Sequence, residues 1–174
     1  SVAIMVLFEE GKLLLDDPVS KYLPAFRKQQ VIATFNETDT TYTTIPAKSE
    51  ITIRQLLTHT SGLGYAQIGS KEANAIYAKA NLTAGIGVVG DDLLSAMNRL
   101  GKLPLMHQPG ERWTYGLNSD LLGCLVEQIS GKTLDQFFKE KIFEPLGMKD
   151  THFHLPGAKA NRLVKFYREM PGGK

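Results

Sequence analysis

The chain opens on an unbroken apolar run, Val2, Ala3, Ile4, Met5, Val6, Leu7 and Phe8, closed by Glu9, Glu10 and Gly11. Such a run ending at a glycine predicts a buried helix that exits through the left-handed backbone region, which glycine enters without steric cost. Asp17 followed by Pro18 predicts an N-cap with proline at the first helical position, opening a short helix through Val19, Tyr22 and Leu23 that Pro24 closes. The period then changes. Residues 31–35 and 42–45 are rich in β-branched and aromatic side chains and flank the polar turn Asn36, Glu37, Thr38, Asp39, which predicts a β-hairpin.

Helical spacing returns at Thr52, which with Gln55 three residues on forms a capping-box signature for a helix bearing Ile53, Leu56 and Leu57; Ser61, Gly62 and Gly64 then turn the chain. A helical pattern runs from Glu72 to Ala80. Asp91 and Asp92 precede Leu93, Leu94, Met97 and Leu100, placing acids where the helix dipole favours them, and Gly101 stops that helix. After a loop with Pro104, Pro109 and Gly110, Asn118 or Ser119 is the expected cap of a strongly apolar helix carrying Leu121, Leu122, Leu125, Val126 and Ile129 as far as Gly131. Thr133 with Gln136 reads as a second capping box, for a helix with Phe137, Phe138 and Ile142 that Pro145 and Gly147 terminate. Beyond Met148 the chain is polar and turn-rich, and Pro171, Gly172, Gly173 and Lys174 read as a cut or a linker. The expected fold is therefore mostly α with a small β-hairpin.

Composition narrows the function classes. At 174 residues and 43% hydrophobic the chain is one domain, or a piece of a larger one, with enough apolar residues for a core. The balance of 20 Lys and Arg against 18 Asp and Glu lacks the concentrated basic field that nucleic-acid binding needs. The single cysteine, Cys124, excludes an internal disulfide and a Cys-rich zinc module, and reads as a small core residue on an apolar helix face. No apolar run reaches the roughly 18 to 20 residues of a membrane span. Of the four histidines only His152 and His154 are close in sequence, without an acid or thiol at ligand spacing, so no metal and no cofactor is expected. Ser130, Gly131, Lys132 and Thr133 look like the end of a phosphate loop, but a strand should precede them and glycine should stand at Val126; a helix C-cap followed by the next N-cap is the reading that fits.

Three further segments occur together: Ile51 to Leu63, with Leu57, Thr58, His59, Thr60, Ser61, Gly62; Pro109 to Gly116, followed by Asp120, Leu121, Leu122, Gly123; and Ile142 to Thr151, with Glu144, Pro145, Leu146, Gly147, Met148. In order and spacing they resemble the serine β-lactamase-like family of class C β-lactamases, D-alanyl-D-alanine carboxypeptidases and family VIII carboxylesterases. The opening stretch through Gly11, Asp17, Pro18 and Pro24 matches it too, so the resemblance covers nearly the whole chain as one segment, 1–174. It implies the helical region of an α/β β-lactamase/penicillin-binding-protein-like transpeptidase fold. It also implies acyl transfer by a serine through an acyl-enzyme, on a small-molecule ester or amide or a peptidoglycan-like substrate.

The resemblance places the nucleophile in a Ser-x-x-Lys motif, one helical turn bringing the amine beside the hydroxyl. No serine here has lysine three positions on, from Ser1 through Ser20, Ser49, Ser61, Ser70, Ser95 and Ser119 to Ser130. The family's motif opens the helix that continues here at residue 1, so the expectation is a nucleophile just upstream and a pocket strand beyond Lys174, both absent, and an inactive chain on its own. The family's second motif supplies a tyrosine base, and that position is Tyr115. In class C β-lactamases it reads Tyr-x-Asn; here the residue two beyond Tyr115 is Leu117 and the nearest amide is Asn118, a departure that favours esterases and acyltransferases. Asn118 and Trp113 are the candidates to contact substrate, Trp113 either lining an acyl pocket or anchoring the loop. From its residues alone Tyr115 reads as an aromatic packed beside Trp113 at a helix entrance; it is the resemblance that makes it the base. His59 reads as a structural histidine bonded to backbone. The other class of function is a non-catalytic pseudoenzyme or binding module of the same fold.

Overall fold

A buried helix late in the chain organises the rest. The computed structural model describes residues 1–66, 68–82, 92–165 and 167, and among them are six α-helices and one two-stranded sheet: α1 Val2–Glu9, β1 Gln30–Phe35, β2 Tyr42–Pro46, α2 Ile53–Leu57, α3 Lys71–Lys79, α4 Leu93–Leu100, α5 Asn118–Ser130 and α6 Leu134–Phe138. The apolar positions of α5 fall on more than one side, because α1, α2, α4 and α6 all pack on it. Leu121, Cys124, Leu125 and Val126 are buried there with Ile4 and Leu7 of α1, Ile53 and Leu56 of α2, Met97 and Leu100 of α4, and Phe137 of α6. Each such side chain contributes roughly 1.5–3 kcal/mol by leaving water. Gly131 ends α5 at φ +68°, the left-handed exit expected of it. Asp91 and the tail Pro171–Lys174 lie outside the described residues.

The hairpin is antiparallel with Val31 opposite Ile45 and Phe35 opposite Tyr42, and its register slips between Ile32 and Thr34. Of its residues only Val31 is buried, so the sheet is a rim on a helical body. Backbone bonds tie it to a third segment: Leu105 N–H donates to Gln30 O at 2.8 Å and Leu105 O accepts from Ile32 N–H at 2.9 Å.

The short helix expected after Asp17 does not start there. The chain is extended through Pro18, and 3-10 turns follow at Val19–Lys21 and Pro24–Phe26, so Pro24 opens a turn instead of closing a helix. Asp17 is diverted: its carbonyl accepts from Ile53 N–H, and its carboxylate accepts from Leu14 N–H, Lys21 Nζ and Tyr22 Oη. Burial pushes that carboxyl up, but the bonds from Tyr22, Leu14 and Lys21 outweigh it and hold the pKa at about 2. The capping box at Thr133 does not form either. Thr133 Oγ1 donates to Asp135, and Leu134 N–H goes to Glu127 Oε1 of α5. The helix it was to open gives way after Phe138 to a π-helical turn, Lys139–Phe143. Finally, α1 is buried on one face only: Ala3, Ile4 and Leu7 point inward, while Val2 is 61% and Phe8 37% exposed. Its buried face meets chiefly α5 and the π-helical turn, and Val2, Met5 and Phe8 stand at the surface. Among the described residues no helix is long and apolar enough to cross a membrane.

Candidate active site

The segment that leaves α2 and the loop that enters α5 lie against each other, stitched by four backbone bonds. Gly110 N–H donates to Thr60 O (2.7 Å), Met106 N–H to Gly62 O (2.7 Å), Thr114 N–H to His59 O (2.9 Å) and Leu117 N–H to Gly64 O (3.1 Å). Two glycines allow this approach. A Cβ on Gly62, at φ +88°, would stand 2.3 Å from His107 O, and one on Gly116 would stand 2.1 Å from Leu63 O. Behind the pair, Tyr77 of α3 is buried and its hydroxyl accepts from Gly64 N–H at 3.1 Å. Burial pushes that phenol up to about 12, so it stays neutral.

The expected capping box of α2 is present: Thr52 Oγ1 accepts from Gln55 N–H at 3.3 Å and Gln55 Oε1 from Thr52 N–H at 3.0 Å. It fixes the helix whose far end delivers His59. There the backbone turns left-handed, with φ +55° at His59, a conformation that costs a histidine about 1–2 kcal/mol.

This framework gathers four rings. The His59 imidazole stacks on Tyr115 with centroids 5.4 Å apart and planes 10° from parallel. Tyr65 lies 5.5 Å from Tyr115 on a tilted plane, and Trp113 stands 6.5 Å from Tyr115 and 6.1 Å from His59. Tyr115 is nevertheless 46% exposed, and it lines a cleft of about 310 Å³ together with Gly64, Ser70, Glu72, Met106 and Arg112. Trp113, at 65% exposure, flanks Tyr115 beside that cleft.

Asn118 is not at the cleft surface. It is the first residue of α5, with Leu117 in the cap position, and its side chain turns inward to zero exposure. Ser61 Oγ, equally buried, accepts Leu63 N–H at 3.1 Å and donates to Asn118 Oδ1 at 2.5 Å. The amide nitrogen of Asn118 then faces His59 Nδ1 at 3.0 Å. An amide nitrogen only donates, so Nδ1 is the acceptor and the hydrogen of the neutral ring sits on Nε2. His59 is thus bonded to a side-chain amide, not to backbone as its motif led one to expect, because the backbone groups around it are spent on the stitching. Burial lowers its pKa below 6.5.

One contributor carries no local signal in the sequence. His107 is buried, its Nδ1 at 2.9 Å from Gln108 O and its Nε2 at 2.9 Å from Thr114 Oγ1. A carbonyl only accepts, so Nδ1 donates to Gln108 O, and Nε2 pairs with the Thr114 hydroxyl. The bond anchors the residue next to Tyr115. The remaining histidine pair is remote: His152 Nε2 meets Lys159 Nζ at 3.0 Å, along the rim of a separate cavity of about 540 Å³ bounded by Lys139, Phe143, Met148 and Phe153. Among the described residues no group of three or more His, Cys, Asp or Glu side chains could hold a metal ion.

A family model described as Beta-lactamase matches residues 1–173. Esterase EstB of Burkholderia gladioli is 35% identical over 153 residues, 88% of this chain and 35% of that protein. The structure of EstCE1, a hydrolase with promiscuous acyltransferase activity, superposes with a TM-score of 0.70 at 31% identity, covering 90% of this chain and 37% of that one. Unliganded simvastatin synthase, LovD, from Aspergillus terreus gives a TM-score of 0.65 at 31% identity, covering 84% of this chain and 35% of that one. The chain spans well under half the length of these relatives.

Proposed function

The chain belongs to the β-lactamase family, and from that membership we propose that it carries the tyrosine side of a serine acyl-transfer site, with Tyr115 as the general base. The observation that supports this most is the placement of Tyr115: an exposed phenol on the rim of a cleft of about 310 Å³, held by three neighbouring rings and a loop stitched by four backbone bonds. Since none of the chain's serines has lysine three positions on, the nucleophile and its lysine come from sequence outside residues 1–174, and the chain on its own does not turn over substrate.

In the proposed reaction the Tyr115 oxygen takes the proton of the serine hydroxyl as the serine oxygen bonds to an ester or amide carbonyl carbon. The tetrahedral adduct collapses, the bond to the leaving alcohol or amine breaks, and Tyr115 returns the proton to it. Water or an acceptor alcohol then attacks the acyl-enzyme with Tyr115 again as base. A phenol with an ordinary pKa near 10 does this at neutral pH only beside a cation, the part assigned to the lysine. The esterase and acyltransferase relatives, together with Leu117 standing where Tyr-x-Asn would have its amide, favour a small-molecule ester over a β-lactam or a peptidoglycan-like amide. Trp113, beside the cleft, is suited to cover the acyl group.

The test is exposure to a fluorophosphonate followed by intact-mass measurement. The full-length protein is expected to take one equivalent, and residues 1–174 alone none. An adduct on any serine of this chain overturns the assignment, and no adduct on the full-length protein replaces it with a non-catalytic binding module.

A further inference from the structure

The arrangement behind Tyr115 points to a role for a residue that the motif alone leaves structural. We propose that His59 is a positioning residue for the base: its neutral imidazole, locked in rotation by the Asn118 amide and through it by Ser61, fixes the plane and the depth of the Tyr115 ring. This rests on Tyr115 being the base.

Three observations carry it. The stack is nearly parallel, 10° at 5.4 Å, so a rotation of the imidazole about its own Cβ bond is transmitted directly to the phenol face. The imidazole is not free to rotate, because Nδ1 accepts from Asn118, whose oxygen accepts from Ser61, whose oxygen in turn accepts from Leu63 N–H. Both inner members have no exposure, and the direction of each bond is fixed by its neighbour, so the chain has one arrangement. Lastly, a histidine occupies a left-handed position, φ +55°, that asparagine or glycine fills at lower cost; the fold alone does not ask for an imidazole there.

Protonation would break the lock, since an Nδ1–H would face the Asn118 N–H. The charged groups on the elements packed around His59 include Arg54 of α2, which is paired with Asp16, Glu111 and Arg112 of the loop, which pair with each other, and Asp120 and Glu127 of α5, the latter accepting from Leu134 N–H; the titratable rings are Tyr115, beyond it Tyr65, and His107 on the same loop. None of the charged groups moves the histidine, whose pKa is set by burial.

The test uses the full-length protein and an ester substrate, with active sites counted by fluorophosphonate. His59→Asn keeps an acceptor near the Nδ1 position and suits the left-handed backbone, so it folds while losing the stacked ring. It is expected to lower kcat by about 10- to 100-fold, the range for a small misplacement of a catalytic group, with KM changed by about 2-fold or less. Asn118→Asp keeps the Ser61 bond but offers His59 only an acceptor, so a protonated imidazole is bonded through Nδ1–H instead of released, and the acid limb of kcat is expected to move to lower pH. Wild-type kcat in His59→Asn, or an unmoved acid limb in Asn118→Asp, overturns the proposal. Tyr115→Phe separates the layers: if it is inactive while His59→Asn is fully active, only the positioning role falls; if Tyr115→Phe is fully active, the base assignment and the positioning role fall together.

Discussion

Gly116 and Leu63 meet backbone to backbone: a Cβ on Gly116 would lie 2.1 Å from the Leu63 carbonyl oxygen. The contact sits one residue after Tyr115 and seats the loop that carries it. Gly116→Ala therefore has to push the two segments apart, straining the neighbouring Leu117 N–H to Gly64 O bond. A loss of about 2–3 kcal/mol in urea unfolding is expected, at the upper end of overpacking costs.

Capping offers a matched pair. Thr52 makes both halves of its box, whereas Thr133 makes no cap bond. Thr52→Ala is expected to cost about 1 kcal/mol and Thr133→Ala less than about 0.5 kcal/mol, measured by chemical denaturation. Equal losses would count against the observed course of the chain at Thr133.

The half-buried His59 makes stability depend on pH in a fixed direction. Its native pKa lies below the ordinary 6.5, so the unfolded chain takes up the proton first as pH falls. Its contribution is fully present above about 6.5 and is lost as pH drops toward the lowered native value. In thermal melts on residues 1–174, the wild type is expected to lose stability relative to His59→Asn across that window, and a difference that is flat in pH would contradict the burial of the neutral ring.

Cys124 has no exposure, and its thiol is pushed up to about 12, by burial first and then by Glu127 and Asp92. A disulfide reagent is expected to leave it unmodified in the native protein and to react only as fast as the chain opens. Prompt labelling would mean that α5 is not the centre of the core.

The fold was legible where its cause is local. The apolar spacing around Leu121 and Leu125, the β-branched strands flanking Asn36, the Thr52 and Gln55 pair and the helix exit at Gly131 each depend on a few adjacent residues, and each stands in the structure as expected. Asp17 and Thr133 carry equally good cap signals, but competing partners, Tyr22 five residues on for one and Asp135 two residues on with Glu127 of α5 for the other, displace the cap. Asn118 shows the same limit at the site. Its position at a helix start and near Tyr115 was plain, yet its partners Ser61 and His59 come from a loop far away in sequence, so its burial had no local sign. The motif around Tyr115 located the candidate base, while the ring stack and the His107 anchor to Thr114 exist only once the two loops are laid together.

The most direct measurement is the rate of acylation of full-length Tyr115→Phe by an activated ester, followed as the burst of the leaving group and normalised to folded protein. Removing a general base is expected to slow that burst by about 100-fold or more, with the fold and the melting temperature retained. A burst within about 2-fold of wild type would show that the proton leaves the serine by another route and that Tyr115 is only a packed aromatic.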